Sequence, residues 1–280
     1  MEKSIKRYVL FFTLPTLLAF AALFVVPFAL GIYLSFTEFT TVNDATWVGL
    51  SNYGKAFANP DFQNALWFTS KFTVVSIITV NVLAFLLALL LTRGRKGTNL
   101  FRTAFFMPNL IGGIVLGYIW QLILNGILYR YEVTLTFDAK YGFWGLVILM
   151  SWQMIGYMMV IYIAGIQSIP KDLFEVAKIE GADRWATVRH VTIPMIMPAI
   201  TICLFLTMIN SLKLFDQNLA LTAGAPSKET AMLALDIYNT FYGTPGFEGV
   251  GQAKAVVFFV LVALISMIQL SITRRREVEQ

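Results

Sequence analysis

The chain has 280 residues, of which 58% are hydrophobic and only 13% charged, a balance too apolar for an ordinary soluble domain. Its formal net charge of +5 sets 21 Lys and Arg against 16 Asp and Glu, with a single His and a single Cys. Those counts exclude an internal disulfide and offer no metal-ligand set, and the charge excess follows the layout described below, with no nucleic-acid partner required.

The first element follows a short basic tail, Lys3, Lys6 and Arg7. Ala19-Phe20-Ala21 resembles a small-residue cleavage site, but the uncharged run continues to Phe36, so an uncleaved span is expected over 9–36. Further uncharged runs predict spans at about 72–92, 103–126, 142–166, 193–215 and 254–273. Each approaches the roughly 20 residues a helix needs to cross the hydrocarbon layer, and backbone groups in lipid must pair within their own segment. The expectation is an all-α integral membrane protein with six transmembrane helices in a single domain, 1–280. Pro108 and Gly112-Gly113 interrupt the third span, either as a packing kink or as a break lining a cavity. Gly113 and Gly117 have the spacing of a close helix contact. Cys203 falls in the fifth span and reads as packing.

Positive charge sets the orientation. Fourteen Lys and Arg lie in the amino-terminal tail, the turn holding Arg93, Arg95, Lys96 and Arg102, the loop 168–192 and the tail holding Arg274, Arg275 and Arg276. Six lie on the other side, with Lys213 near a span end. The richer side is expected to be cytoplasmic, with both termini there. Outside, Glu38 to Lys71 reads as a partly structured interfacial segment, and Thr222 to Gln252 as a Gly- and Pro-rich loop with a short helix across Thr230–Phe241.

The loop 168–192 is the one long, charge-rich, helix-patterned segment between apolar spans. Ser168 is suited to cap a helix start and Pro170 to its first turn. Lys171 to Glu180 carries good helix formers, with Leu173, Phe174 and Ala177 on one face and Asp172, Glu175 and Lys178 on another. Gly181 supplies a permissive end, and Asp183 a cap for a second helix over Arg184 to Val191. A helix pair with apolar residues on a polar loop suits docking to a soluble partner. His190, in the same loop, serves that surface or is solvated.

Glu175-Val176-Ala177, Gly181-Ala182 and Ile193-Pro194 together resemble the EAA loop of permease subunits in bacterial ABC importers. Tyr162 to Pro170, Phe215-Asp216 and Leu221-Thr222-Ala223-Gly224-Ala225-Pro226 are similar to the carbohydrate branch of that family, of the maltose and glycerol-phosphate type. Val176 stands where the family has its middle Ala, Glu180 where many members have Asp, and Ala225 where the branch has a second Gly. The resemblance spans roughly residues 8 to 275. It implies the type I importer permease fold in a bacterial inner membrane, with a cytoplasmic coupling helix that seats on an ATPase through Phe174, Glu175, Ala177, Gly181 and Ala182. It also implies a second homologous permease, two ATPase subunits that bind ATP and Mg, an extracytoplasmic binding protein and a carbohydrate substrate. The chain itself lacks a G-x-x-x-x-G-K-[ST] phosphate loop, so no cofactor is expected in it.

Polar side chains inside spans are costly unless they face a cavity or one another. Gln153, Tyr157, Asn210, Lys213 and Asp216 are candidates for the substrate pathway, with Asn81, Gln121, Trp120 and Trp152 also considered. Interhelical bonding accounts equally for Gln153 or Asn210, and an ion pair for Lys213 with Asp216. One basic candidate favours a neutral oligosaccharide over glycerol phosphate. A secondary transporter is disfavoured because acids are absent from mid-span, and an intramembrane enzyme because H-E-x-x-H and G-x-S-x-G runs are absent.

Overall fold

The computed structural model describes residues 2–92 and 97–274, and for 2–10 the backbone alone. Arg93, Arg95, Lys96, Arg275 and Arg276, counted above for orientation, lie outside the described residues, as do the side chains of Lys3, Lys6 and Arg7.

In chain order, α1 (Glu2–Phe20) runs through a π-helical turn at Ala21–Val25 into α2 (Val26–Leu34). A short antiparallel ladder follows, β1 (Thr37–Glu38) against β2 (Thr46–Trp47), the one strand pairing among the described residues. Next come α3 (Ser51–Ala58), α4 (Pro60–Leu91), α5 (Thr98–Phe106) with a tight turn to Leu110, α6 (Gly113–Leu128) and α7 (Ala139–Gln167). Then α8 (Lys171–Ile179) is followed by α9 (Arg184–Thr187), which passes through a π-helical turn at Val188–Thr192 into α10 (Ile193–Met195). The chain ends with α11 (Met197–Leu212), α12 (Asp216–Leu221), α13 (Leu233–Gly243) and α14 (Glu248–Arg274).

Among the described residues, four continuous helices are long and apolar enough to cross a membrane: Phe11–Leu34, Pro60–Leu91, Ala139–Gln167 and Glu248–Arg274. Two bent pairs make six when each is taken as one span: Thr98–Leu110 with Gly113–Tyr131, bent by 103°, and Arg184–Met195 with Met197–Leu212, bent by 74°. The break in the first pair lies after Pro108, at Ile111 and Gly112, both with extended ψ. In the second, Ile196 leaves helical geometry between Pro194 and Pro198, and α11 stops at Leu212, so 213–215 are not helical. Helix α4 starts at Pro60, well before the uncharged run begins. Its charged first turn, with Asp61 at the positive helix end, belongs to the same helix.

Two compact units form, within Met1–Pro60 plus Ile237–Val260 and within Asp61–Asp236 plus Leu261–Gln280. In the first, buried Asn52 donates through Nδ2 to the carbonyls of Ser35 at 3.0 Å and Thr37 at 2.8 Å. Phe36 stacks on Trp47, and Phe28 meets Phe259 edge to face at 4.7 Å between centroids. The ammonium of Lys254, fully buried, donates to Thr240 Oγ1 at 2.8 Å.

In the second unit α7 is the central element. Its Leu146, Leu149, Met150, Met158 and Met159 are buried in one cluster with Phe72, Val80 and Ala84 of α4 and Cys203 of α11. Gly156 lets α5 lie directly on α7: a Cβ there would collide with the Phe105 carbonyl and reach Phe106 N at 2.7 Å. The Gly113 and Gly117 pair seats α6 on α12, where added Cβ atoms would stand 2.7 Å from Asp216 Cβ and 2.5 Å from Ala220 Cβ. Buried polar groups bond across helices. Tyr162 Oη donates to Asn81 Oδ1 at 2.8 Å, Asn81 Nδ2 to Thr207 Oγ1 at 3.2 Å, and Gln121 Nε2 to the Leu221 carbonyl at 3.0 Å. The Arg102 guanidinium donates to the Leu91 carbonyl at 3.3 Å, satisfying the carboxyl end of α4.

Candidate functional site

The loop between α7 and α11 folds as its local signals direct, with two corrections. The second helix does not stop at Val191 but runs on through the π-helical turn to Met195. Ser168 closes α7 and does not open α8: its Oγ donates to the Gly165 carbonyl at 2.8 Å, and Pro170 is the residue that starts α8. At the other end, Ala182 N–H reaches the Ala177 carbonyl at 2.9 Å and Gly181 N–H the Lys178 carbonyl at 3.2 Å. That pair of bonds requires the left-handed backbone of Gly181, φ +75°, in a Schellman closure. Asp183 caps α9 by accepting the Ala186 N–H at 2.7 Å.

The side chains of α8 divide between two faces. Phe174 is half-buried against the core of the second unit, Ala177 is buried, and Ala182 is half-buried. The outward face carries Glu175, Val176 and Ile179, the last 83% exposed, with Trp185 of α9 at 69%. Phe174, Ala177 and Ala182 therefore anchor the loop to its own chain, while Glu175 and Gly181 stay exposed. Val176 and Ile179 escaped the sequence reading because both faces of α8 are partly apolar. Their signal was the i, i+3 spacing of branched residues on an otherwise charged surface.

A second feature lies at the junction of α11 and α12. A cavity of about 280 Å³ is bounded by Asn109 after α5, Gln153 of α7, Asn210 of α11, and Lys213, Asp216 and Gln217, with Met150, Met154, Leu214 and Phe215 as its apolar part. It unites four of the five candidates. Tyr157 packs edge to face on Phe106 at 6.4 Å and does not border it. Asn109 and Gln217 were missed. Gln217 Nε2 donates to Gln153 Oε1 at 2.8 Å, and Gln153 Nε2 to the Ile111 carbonyl at 3.3 Å, so the break between α5 and α6 is tied to this wall. One backbone carbonyl freed at that break, that of Ile111, thus finds a side-chain partner.

Lys213 and Asp216 do not share a helix face, because the chain leaves α11 at Leu212 and re-enters α12 at Asp216. Lys213 stands at a helix carboxyl end and Asp216 at a helix amino end, each the favourable sign for its dipole. Both are exposed, and the ion pairs among the described residues, Lys140–Asp138 and Lys228–Asp61, do not include them. Of the other polar candidates, Asn81 and Gln121 are committed to helix–helix bonds, and Trp120 packs on Trp152 at 5.6 Å. The turn after α12 needs left-handed backbone at Ala223 and Gly224, φ +49° and +85°, and not at Ala225. The Ala225 N–H reaches the Thr222 carbonyl at 2.9 Å.

A family model described as "Binding-protein-dependent transport system inner membrane component" matches residues 80–278. The chain belongs to this family. As an inner membrane transport component it resembles the probable starch degradation products transport system permease protein AmyD of Thermoanaerobacterium thermosulfurigenes, 47% identical over 96% of this chain and 94% of the relative. It also resembles the trehalose/maltose transport system permease protein MalF of Thermococcus litoralis, 28% identical over 85% of this chain and 84% of the relative. Its fold matches a solved chain from a bacterial ABC transporter involved in import of the acidic polysaccharide alginate, with a TM-score of 0.82 at 22% identity, covering 98% of each chain. The family places the permease among transport subunits and not among enzymes.

Proposed function

We propose that this permease forms part of the translocation pathway for a neutral oligosaccharide in an ATP-driven importer, with Asn109, Gln153, Asn210, Lys213, Asp216 and Gln217 lining that pathway. The observation that carries the reading is the cavity itself: six polar side chains converge on one concavity within a largely apolar helix bundle. Its volume is near the lower end of the roughly 300–1,000 Å³ of small-molecule sites, so one sugar ring at a time suits it. Exposed Lys213 and Asp216 offer a donor and an acceptor to hydroxyls, while Gln153, held by Gln217 and the Ile111 carbonyl, shapes the cavity wall. A phosphorylated substrate would meet the Asp216 carboxylate as well as Lys213, which favours the neutral sugar. The resemblance to a starch-product permease agrees in class.

In this reading α8 and α9 are the cytoplasmic coupling element, both termini are cytoplasmic, and Val176, Ile179 and Glu175 meet an ATPase subunit that binds ATP and Mg. A second permease chain completes the pathway, and a binding protein delivers the sugar. ATP-driven movement of the loop then switches access to the cavity. The test is uptake of labelled maltooligosaccharides by proteoliposomes of the assembled transporter carrying Lys213→Met or Asp216→Asn. Each substitution should cut uptake and substrate-stimulated ATP hydrolysis without loss of assembly. Normal transport by both variants would remove these residues from the pathway.

A further inference from the structure

A second cavity, of about 880 Å³, opens where α4 and α7 end and the loop begins. Its floor is apolar, from Leu89 of α4 and Ile166 of α7, and its wall carries Lys171, Lys178 and Arg184. The loop contains as many acids as bases, yet Asp172, Glu175, Glu180 and Asp183 all stay off the lining. Among the described residues, none of the three cations has a carboxylate within 4.0 Å. Nothing in the docking surface described above uses them, since Val176, Ile179 and Trp185 point away from the core-packed face of the loop.

We propose that this cavity binds the headgroup of an anionic phospholipid, with Lys171, Lys178 and Arg184 on the phosphate and Leu89 and Ile166 against the start of an acyl chain. Three observations converge on that occupant. The cavity lies where two helices long and apolar enough to cross a membrane end and the charged loop begins, which is where headgroups would meet them. It presents positive charge without compensating acids, which a zwitterionic headgroup neutralises poorly. Its lining combines cations with aliphatic surface, as an amphiphile requires and a free ion does not. The site is independent of the sugar and concerns the membrane around the transporter.

The test uses the full-length chain purified with its partner subunits, and native mass spectrometry counts retained lipid after titration with dioleoyl phosphatidylglycerol or dioleoyl phosphatidylcholine. Phosphatidylglycerol should be retained in preference, and each of Lys171→Gln, Lys178→Gln and Arg184→Gln should weaken retention roughly fivefold. Arg189→Gln, a basic change on the same loop but outside the lining, should leave retention unchanged. Inorganic phosphate should not displace the lipid. Equal retention of both lipids, an equal loss from Arg189→Gln, or displacement by inorganic phosphate would each overturn the proposal. If the triple Gln variant fails to assemble, the single variants decide it.

Discussion

Gly181 allows the coupling reading to be tested with its magnitude worked in advance. An added Cβ would meet nothing within 4 Å, so crowding by neighbours contributes nothing. The cost lies in the backbone, because φ is +75° and an L-residue held in that region costs about 1–2 kcal/mol, more for a β-branched side chain. A penalty of that size lowers the population of the correctly closed helix end about 5- to 30-fold. The order of damage is therefore Asn least, Ala intermediate and Val greatest, since Asn tolerates the left-handed region best. The assay is the ratio of sugar taken up to ATP hydrolysed in proteoliposomes of the assembled transporter. Gly181→Val should lower that ratio while insertion and basal hydrolysis persist. If Gly181→Val couples normally, or Gly181→Asn is as damaging as Gly181→Val, the conformational argument fails.

Gly156→Val should be worse for assembly than any pathway variant, because its Cβ meets backbone and cannot be relieved by a rotamer change; a cost of about 1–3 kcal/mol or more should appear as a lower thermal midpoint of the purified complex. Tyr162→Phe leaves Asn81 Oδ1 without its donor and should cost about 0.6 kcal/mol of stability with uptake per transporter unchanged; lost uptake at full stability would put Tyr162 on the pathway. Cysteines at Val176 and Ile179 should cross-link to an ATPase subunit far more readily than one at Phe174, and the reverse order would mean that α8 docks by its other face. At the start of α7, the Lys140 backbone N–H holds the Asp138 carboxyl below its ordinary 3.8. Its contribution is thus present above that value and fades as pH falls through the folded one, so Asp138→Asn should flatten the acid limb of a pH–stability curve.

The spans were legible because uncharged runs of membrane length leave the backbone one economical solution, and the loop because Gly181 and Asp183 carry strong local signals. The breaks were only half legible. Pro108 and Gly112 mark a place where helix hydrogen bonding fails, but the 103° turn is accompanied by a bond that Gln153 Nε2 donates to the freed Ile111 carbonyl, a contact across 42 positions. The cavity residues were found by their cost in lipid, which selects polar side chains without saying which of them bond elsewhere. Hence Asn81 and Gln121 were considered beside Gln153 and Asn210, and Gln217 was overlooked because it follows the charged Asp216. The expected span over 193–215 overran the end of α11 at Leu212 because nothing in Lys-Leu-Phe-Asp announces a helix end.

Helix α7 passes both places of interest, bordering the sugar-sized cavity at Gln153 and the loop at Gln167, about 21 Å further along its axis. It is unbroken over that distance and holds no proline. The other route from the loop to the cavity passes a π-helical turn, the 74° bend at Ile196 and only then α11. One link behaves as a strut and the other as a joint. If the loop is pushed by a partner, as proposed above, the straight route leads to Gln153 and the jointed one to Asn210 and Lys213. The two walls of the cavity would then separate by shear, with no need for either helix to unwind.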